Sequence, residues 1–235
     1  MKKILTIILT CFLTLSLAGC SSKKNDDDIL TFFNALDNTL NLKSAQINGS
    51  LTMKDSNLNI DAQILQKDEL QVSSSIGLVA GKNVQNNFLN FYIKDGKTYL
   101  NSMGTKTQST VDKIGLKKNS KLNAYNPFLD LTDDQLCELF DSSKKENNTY
   151  TFKVNTSKLA TLLDNMGSVK LDHATLVATI KNEKISHMIL SFTGTQTVDD
   201  ASADIDVSIE LSIKKLSKIN FPNDLDNYKN ETAED

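Results

Sequence analysis

The chain has 235 residues, with 26 basic and 29 acidic side chains and a formal charge of −3. Every basic residue is Lys, there is no Arg or Trp, and 39 % of residues are hydrophobic, which is enough for a core and excludes wholesale disorder. The weakly acidic balance and the missing guanidinium exclude a nucleic-acid module, which needs a clustered basic face and bidentate contacts.

Met1-Lys2-Lys3 is a positive leader, and Ile4 to Leu17 is an uncharged, mostly apolar run. That run has the length of a signal h-region and is short for a membrane span. Leu17-Ala18-Gly19-Cys20 matches the bacterial lipobox. The segment therefore resembles a prolipoprotein signal, with residues 1–19 as the signal peptide. The resemblance implies diacylation of the Cys20 sulfur, cleavage before it, further acylation such as by palmitate, and a place on the extracytoplasmic face of the cell membrane. Cys11 leaves with the signal and Cys20 is taken by lipid, so Cys137 stands alone and no internal disulfide is expected. The abundance of Lys and Asn without Arg fits an AT-rich Gram-positive genome. Residues 20–27 read as a polar, lipidated tether. Seven extended residues reach about 25 Å, which holds the domain near the membrane.

Asp28 is a candidate cap for a helix to about Lys43, with Ile29, Phe33, Leu36 and Leu40 at helical spacing and Phe32 beside them. Three segments of period two follow, around Ile47 to Met53, Leu58 to Ile64 and Leu70 to Leu78. A fourth strand spans about Asn86 to Lys94, and Asp95-Gly96 signals a type I′ turn into a fifth strand ending near Met103. That turn sets Tyr92 opposite Tyr99 and Phe91 opposite Leu100. From Gly104 to Pro127 the periodicity disappears, as in a long excursion or lid. Thr132-Asp133-Asp134-Gln135 is a capping box for a short helix with Leu136, Leu139 and Phe140. Tyr150, Phe152 and Val154 mark a sixth strand, and a helix from Thr156 ends at Gly167. Residues 168–181, 185–195 and 204–214 alternate again, the first two joined at Asn182-Glu183. The tail from Asn223 is polar and reads as frayed, with residues 226–235 outside the domain.

The strands are apolar on one face and polar on the other, as in antiparallel sheets covered on one side. The expected fold class is α+β: a large curved antiparallel sheet of about nine strands, a half β-barrel, with helices on its concave face. Residues 28–225 form this domain, as one body or two lobes.

No motif carries catalysis. His173 and His187 are too far apart on an Asn182-Glu183 hairpin, roughly 16 Å at 3.3 Å per residue, to share a metal. Asp199, Asp200, Asp204 and Asp206 lack the EF-hand spacing and read as a solvated cluster. Gly77 to Asn83 is too short for a phosphate loop, and three Ser-x-x-Lys matches lack their companion motifs. Cys137 reads as an inert thiol in an amphipathic helix. Lys113, Lys117, Lys118 and Lys121 make the excursion locally basic, which suits contact with anionic lipid, at about 1 kcal/mol per Lys near the surface, or, as the preferred reading, a soluble loop. No cofactor, no metal and no enzyme activity are expected.

The remaining feature is apolar. Phe33, Phe88, Phe91, Tyr92 and Tyr99, with Met103, Phe128, Phe140 and Phe152, lie on the sheet or its cover. They form either a filled core or the lining of a hydrophobic cavity. The phrases at residues 32–53 (FFNALDNTLNLKSAQINGSLTM), 91–104 (FYIKDGKTYLNSMG) and 218–228 (KINFPNDLDNY), with the lipobox and strand order, resemble LolA/LppX-like lipoprotein carriers. Their open β-barrel plugged by helices implies a monomeric, non-enzymatic protein with an apolar cavity for a lipid or other hydrophobic ligand. The alternative is a surface module with a packed core that docks a protein or wall polymer. The sequence names no protein partner.

Overall fold

The structure, a computed structural model, describes residues 25–163, 168–198 and 201–230. The expected signal segment, Cys20, Asp199, Asp200 and Gly167 lie outside the described residues.

Helix α1 (Asp26–Leu40) opens the fold. Then come β1 (Ser44–Met53), β2 (Ser56–Gln66), β3 (Leu70–Ala80), β4 (Asn83–Lys94), β5 (Lys97–Ser102) and β6 (Thr105–Thr110). A 3-10 turn at Val111–Ile114 follows. Helix α2 (Asp133–Cys137) precedes β7 (Phe140–Glu146) and β8 (Thr149–Val154). Helix α3 (Thr156–Leu163) leads to β9 (Ser168–Lys181), β10 (Lys184–Val198) and β11 (Ala201–Lys214). A 3-10 turn at Leu225–Asn227 and the two-residue β12 (Lys229–Asn230) end the described chain. The protein is mostly β, with few helices, as the sequence indicates.

Twelve strands are described, against the nine or so expected. The three additions have no apolar alternation to reveal them. β6 (TKTQST) lies in the expected excursion, β7 (FDSSKKE) has one apolar residue, and β12 is Lys-Asn. Backbone hydrogen bonds to a neighbouring strand place them. Two further expectations are corrected. Phe140 starts a strand instead of closing a helix, because α2 ends at Cys137. The segment from Asn223 is ordered by packing as far as Asn230, with Tyr228 only 3 % exposed.

The chain divides into two compact units. In the unit built from residues to Leu40 and Tyr125–Glu210, the strand order is β11-β10-β9-β8-β7. Helix α1 packs on β7, β9 and β10 through Ile29, Phe32, Phe33 and Ala35, all buried. The helix starts at Asp26, two residues before the expected cap, and the Asp28 carboxylate accepts from Asn25 Nδ2 at 2.8 Å. The far end of α1 is fastened to the β9–β10 turn. Asn38 donates to the Glu183 carbonyl at 3.1 Å, and the Ile185 N–H donates to Thr39 Oγ1 at 2.8 Å. The Asn182-Glu183 turn is a two-residue hairpin with φ of 51° and 59°, the type I′ signature. An extra residue at Ser186 then shifts the ladder, so His187 faces Thr179 and His173 faces Thr193. An unbulged Asn182-Glu183 hairpin would pair His187 with Ala178 and His173 with Phe192; bulges carry no composition signal strong enough to read beforehand.

In the unit of residues 41–124 and 211 onward, the order is β12-β6-β5-β4-β3-β2-β1. All pairs are antiparallel except β12 on β6. The Asp95-Gly96 turn has φ of 54° and 76°, and it pairs Tyr92 with Tyr99 and Phe91 with Leu100 as the sequence predicts. The excursion covers this unit as expected, but no α-helix among the described residues joins it, and the C-terminal segment covers the other face. Irregular segments supply this cover: residues around Val111 to Leu122 on one face and Phe221 to Tyr228 on the other. Polar sequence with isolated apolar anchors is enough to cover a sheet when each anchor reaches a row of strand side chains.

Candidate functional site

The most developed apolar surface is one face of β1 to β4. Antiparallel partners share a face, so the register defines its rows. Leu51 faces Leu58, and Leu58 faces Leu78. Ile60 faces Ile76, which faces Leu89. Ile64 faces Val72, which faces Ile93. At one end the face is closed: Leu70, Ile93 and Val111 are 1 %, 2 % and 6 % exposed, with Leu116 and Leu122 packed on them. Towards the other end Ile47, Leu51, Leu58, Ile60, Leu78 and Leu89 remain half-buried. Apolar surface left partly in water at about 25 cal/mol per Å² is a standing free energy that a hydrophobic ligand can recover.

A polar cleft of about 530 Å³ lies at the closed end. Gln66, the last residue of β2, sits in its wall and continues the row Leu58, Ile60, Ala62, Ile64. Its amide is engaged at both atoms: Nε2 donates to the Leu42 carbonyl at 2.7 Å, and Oε1 accepts from the Leu122 N–H at 2.8 Å. Its backbone N–H donates to the Lys43 carbonyl at 2.9 Å, which sets Lys43 beside it on the neighbouring chain. Lys43, Lys67 and Lys121 line the cleft together with Asp68. Lys121 Nζ donates to the carbonyls of Gln66 (2.7 Å) and Lys67, so this ammonium holds the β2–β3 turn to the covering segment.

The opposite face of the sheet is polar where uncovered. Asp61 accepts from Asn48 at 2.6 Å and Gln46 at 3.3 Å. Over β4 and β5 this face carries Tyr92 and Tyr99, edge-on to Tyr228 at 6.5 and 5.6 Å between ring centres. Burial, then Tyr92 and the Asp224 carboxylate, push the Tyr228 hydroxyl up to about 12. Burial and Asp224 raise Tyr92 as well. An ion pair between Lys106 and Asp224 and a 2.9 Å bond from Gln108 to the Tyr228 carbonyl fasten this segment to β6.

The nine predicted lining residues fall in both units and, within one unit, on two faces of the sheet. Phe33, Phe128, Phe140 and Phe152 form one aromatic cluster with Phe32, with ring centres 4.8 to 6.0 Å apart. Three of them, Phe33, Phe140 and Phe152, are buried, Phe152 completely. Phe91 packs on the Leu70–Ile93–Val111 core, and Tyr92 and Tyr99 lie on the other face with Tyr228. Phe88 is half-buried, and Met103 stands 66 % exposed in the β5–β6 turn at φ 49°. Sequence reasoning read the leucine and isoleucine rows as strand faces without placing them in a site, since only incomplete cover distinguishes them. It also gave Lys121 no more than a share in a basic loop.

The other candidates are simpler. Among the described residues no group of three or more His, Cys, Asp or Glu side chains could hold a metal ion. His187 bonds Glu210 at 2.9 Å across β10 and β11. The Cys137 thiol is half-buried and is pushed up to about 11, by burial first and then by Asp26, Asp133 and Asp134. At neutral pH it is protonated and a poor nucleophile.

No family model matches the chain, and no curated protein does. Among solved structures it is similar to LprF from Mycobacterium bovis, at a TM-score of 0.45 and 10 % identity over 86 % of this chain and 99 % of that one. A porin-like protein from Bacteroides uniformis follows, at a TM-score of 0.22 and 8 % identity over 75 % of this chain and 98 % of that one. Neither likeness says what this chain binds. No helix among the described residues is long and apolar enough to cross a membrane.

Proposed function

We propose that the chain is a monomeric lipoprotein, anchored through Cys20 on the extracytoplasmic face of the membrane, that binds a lipid or another hydrophobic ligand without acting on it. The half-buried row formed by Leu51, Leu58, Ile60, Leu78 and Leu89 carries this reading. Four long strands build it on a rigid surface, and its incomplete cover gives acyl chains something to bury. The lipobox and the sequence resemblance to lipoprotein carriers support the same reading, with a half-barrel as the form of the sheet. Binding, not catalysis, also agrees with the protonated Cys137 thiol.

The test is organic extraction of the purified full chain, without hydrolysis, followed by mass spectrometry. Covalent acyl groups then stay on the protein, and only guests are released. A stoichiometric acyl lipid is expected, and Leu58→Glu should deplete it at least tenfold. Placing a carboxylate on an apolar contact row costs several kcal/mol if the ligand covers it. A half-buried position tolerates the charge in the free protein, so the circular dichroism should not change. Extracts free of guest lipid from the unaltered chain would overturn the reading.

A further inference from the structure

We propose that the lysine cleft at the end of the apolar row binds a phosphate group, and that the ligand is an amphiphile with its phosphate in the cleft and its acyl chain along the row. The inference rests on the binding role proposed above and adds the class of head group.

Three observations carry it. The first is continuity. Gln66 lies two residues beyond Ile64 on the same face of β2, roughly 7 Å further at 3.3 Å per residue. Lys43, the residue before β1, stands beside Gln66 in line with the row of Ala45 and Ile47. Head and tail positions thus share one face of one pair of strands. The second is charge. The cleft wall holds three ammonium groups and one carboxylate, a surplus of two positive charges in a chain whose formal charge is −3. Neither Lys43 nor Lys67 forms an ion pair with another described residue, so both can turn to an anion. Lys121 is held in place by the two turn carbonyls and presents a fixed charge. The third is size. The volume, about 530 Å³, falls in the range of roughly 300–1,000 Å³ found for small-molecule sites. Lysine ammonium groups bind phosphate as point charges and do not need the forked geometry of Arg, which this chain lacks.

The experiment uses the full chain reconstituted in phosphatidylcholine nanodiscs, titrated calorimetrically against empty discs. The probes are dihexanoylphosphatidic acid, dihexanoylglycerol and inorganic phosphate. The phosphatidic acid should bind at least tenfold tighter than the other two. Lys43→Gln with Lys67→Gln should weaken it about three- to tenfold, the range for two exposed charges, and leave dihexanoylglycerol unchanged. Asp68→Asn removes the only carboxylate of the cleft wall and should strengthen binding severalfold. Raised salt should weaken the two anionic probes and leave dihexanoylglycerol unchanged. Equal affinity for the two lipids, indifferent to the lysine pair, overturns the head-group assignment and leaves the apolar reading standing. Inorganic phosphate binding as tightly as the lipid overturns the amphiphile and marks a free-phosphate site. If neither lipid binds, the apolar reading itself falls.

Discussion

At Gly194 a methyl group would sit 2.1 Å from the Lys170 carbonyl oxygen and 2.8 Å from the Leu171 Cα. Both are backbone atoms of β9, so neither can move aside cheaply. The site adjoins the second irregularity of the β9–β10 ladder, where the pairing jumps from Thr193–His173 to Gly194–Leu171. Glycine here permits close approach of two strands. Gly194→Ala should cost about 3 kcal/mol, the upper part of the overpacking range. In a domain of this size that lowers the melting temperature by about 6–12 °C in a thermal scan. An unchanged melting temperature would show that the ladder can slide at this point. Cys137 makes a second residue-scale prediction. With its pKa pushed up to about 11, the thiolate fraction is very small at pH 7 and rises about tenfold per pH unit up to that value. Alkylation by iodoacetamide should follow that slope. Asp26→Asn removes one negative neighbour and should speed the reaction at fixed pH.

Among the elements, the C-terminal segment shows how little apolar sequence a cover needs. Leu225 and Tyr228 are buried with Tyr92 and Tyr99, and Phe221 packs beside them. Tyr228→Ala should cost about 3–5 kcal/mol by the large-to-small rule for aromatic residues. Hydrogen exchange should then quicken in β5 and β6, with the β9–β10 ladder unaffected. The pH dependence has a definite sign. Folding raises the Tyr228 pKa from 10.0 to about 12, so the neutral ring is favoured in the packed state. Its contribution is complete below pH 10 and disappears as the pH rises towards 12. The segment should therefore loosen in alkali within that window, and tyrosinate absorbance at 295 nm should rise with it. These elements also show what a sequence discloses. β1 to β4 and β9 to β11 are legible because apolar residues alternate with polar ones, β8 because Tyr, Phe and Val alternate with Thr and Lys, and β5 because it follows the Asp95-Gly96 turn. Asp95-Gly96 and Asn182-Glu183 were legible because I′ turns demand positive φ. β6 and β7 were not, since Thr, Ser and Lys mark no buried face and only a partner strand determines their state. Ser186 and Gly194 were illegible for a related reason: a bulge is a property of two strands together.

For the molecule as a whole, the candidate site was half legible. Each apolar row could be read from alternation, but its degree of cover could not. Aromatic residues are conspicuous by size, but Phe33, Phe140, Phe152, Tyr92 and Tyr99 are buried and serve as packing anchors. The lysines of the cleft come from residues 43, 67 and 121, distant in sequence and brought together by hydrogen bonds of Gln66 and by the Lys121 ammonium on the β2–β3 turn carbonyls. The proposed anchor has the opposite character: its signal lies in four consecutive residues and depends on no fold. Replacing Cys20 removes the sulfur that would carry the diacylglyceryl group, so Cys20→Ser should abolish incorporation of labelled palmitate. A single acyl chain binds membrane only marginally while two or more hold it, at about 0.8 kcal/mol per buried methylene. Loss of the thioether should therefore release the mature chain from the membrane fraction. If the apolar run of residues 4–17 stayed uncleaved, an unlabelled precursor of larger mass would remain bound. Gel mobility separates the two results. Palmitate incorporated into the serine variant at the normal level would remove Cys20 as the anchor and, with it, the expectation that the ligand row works beside a membrane.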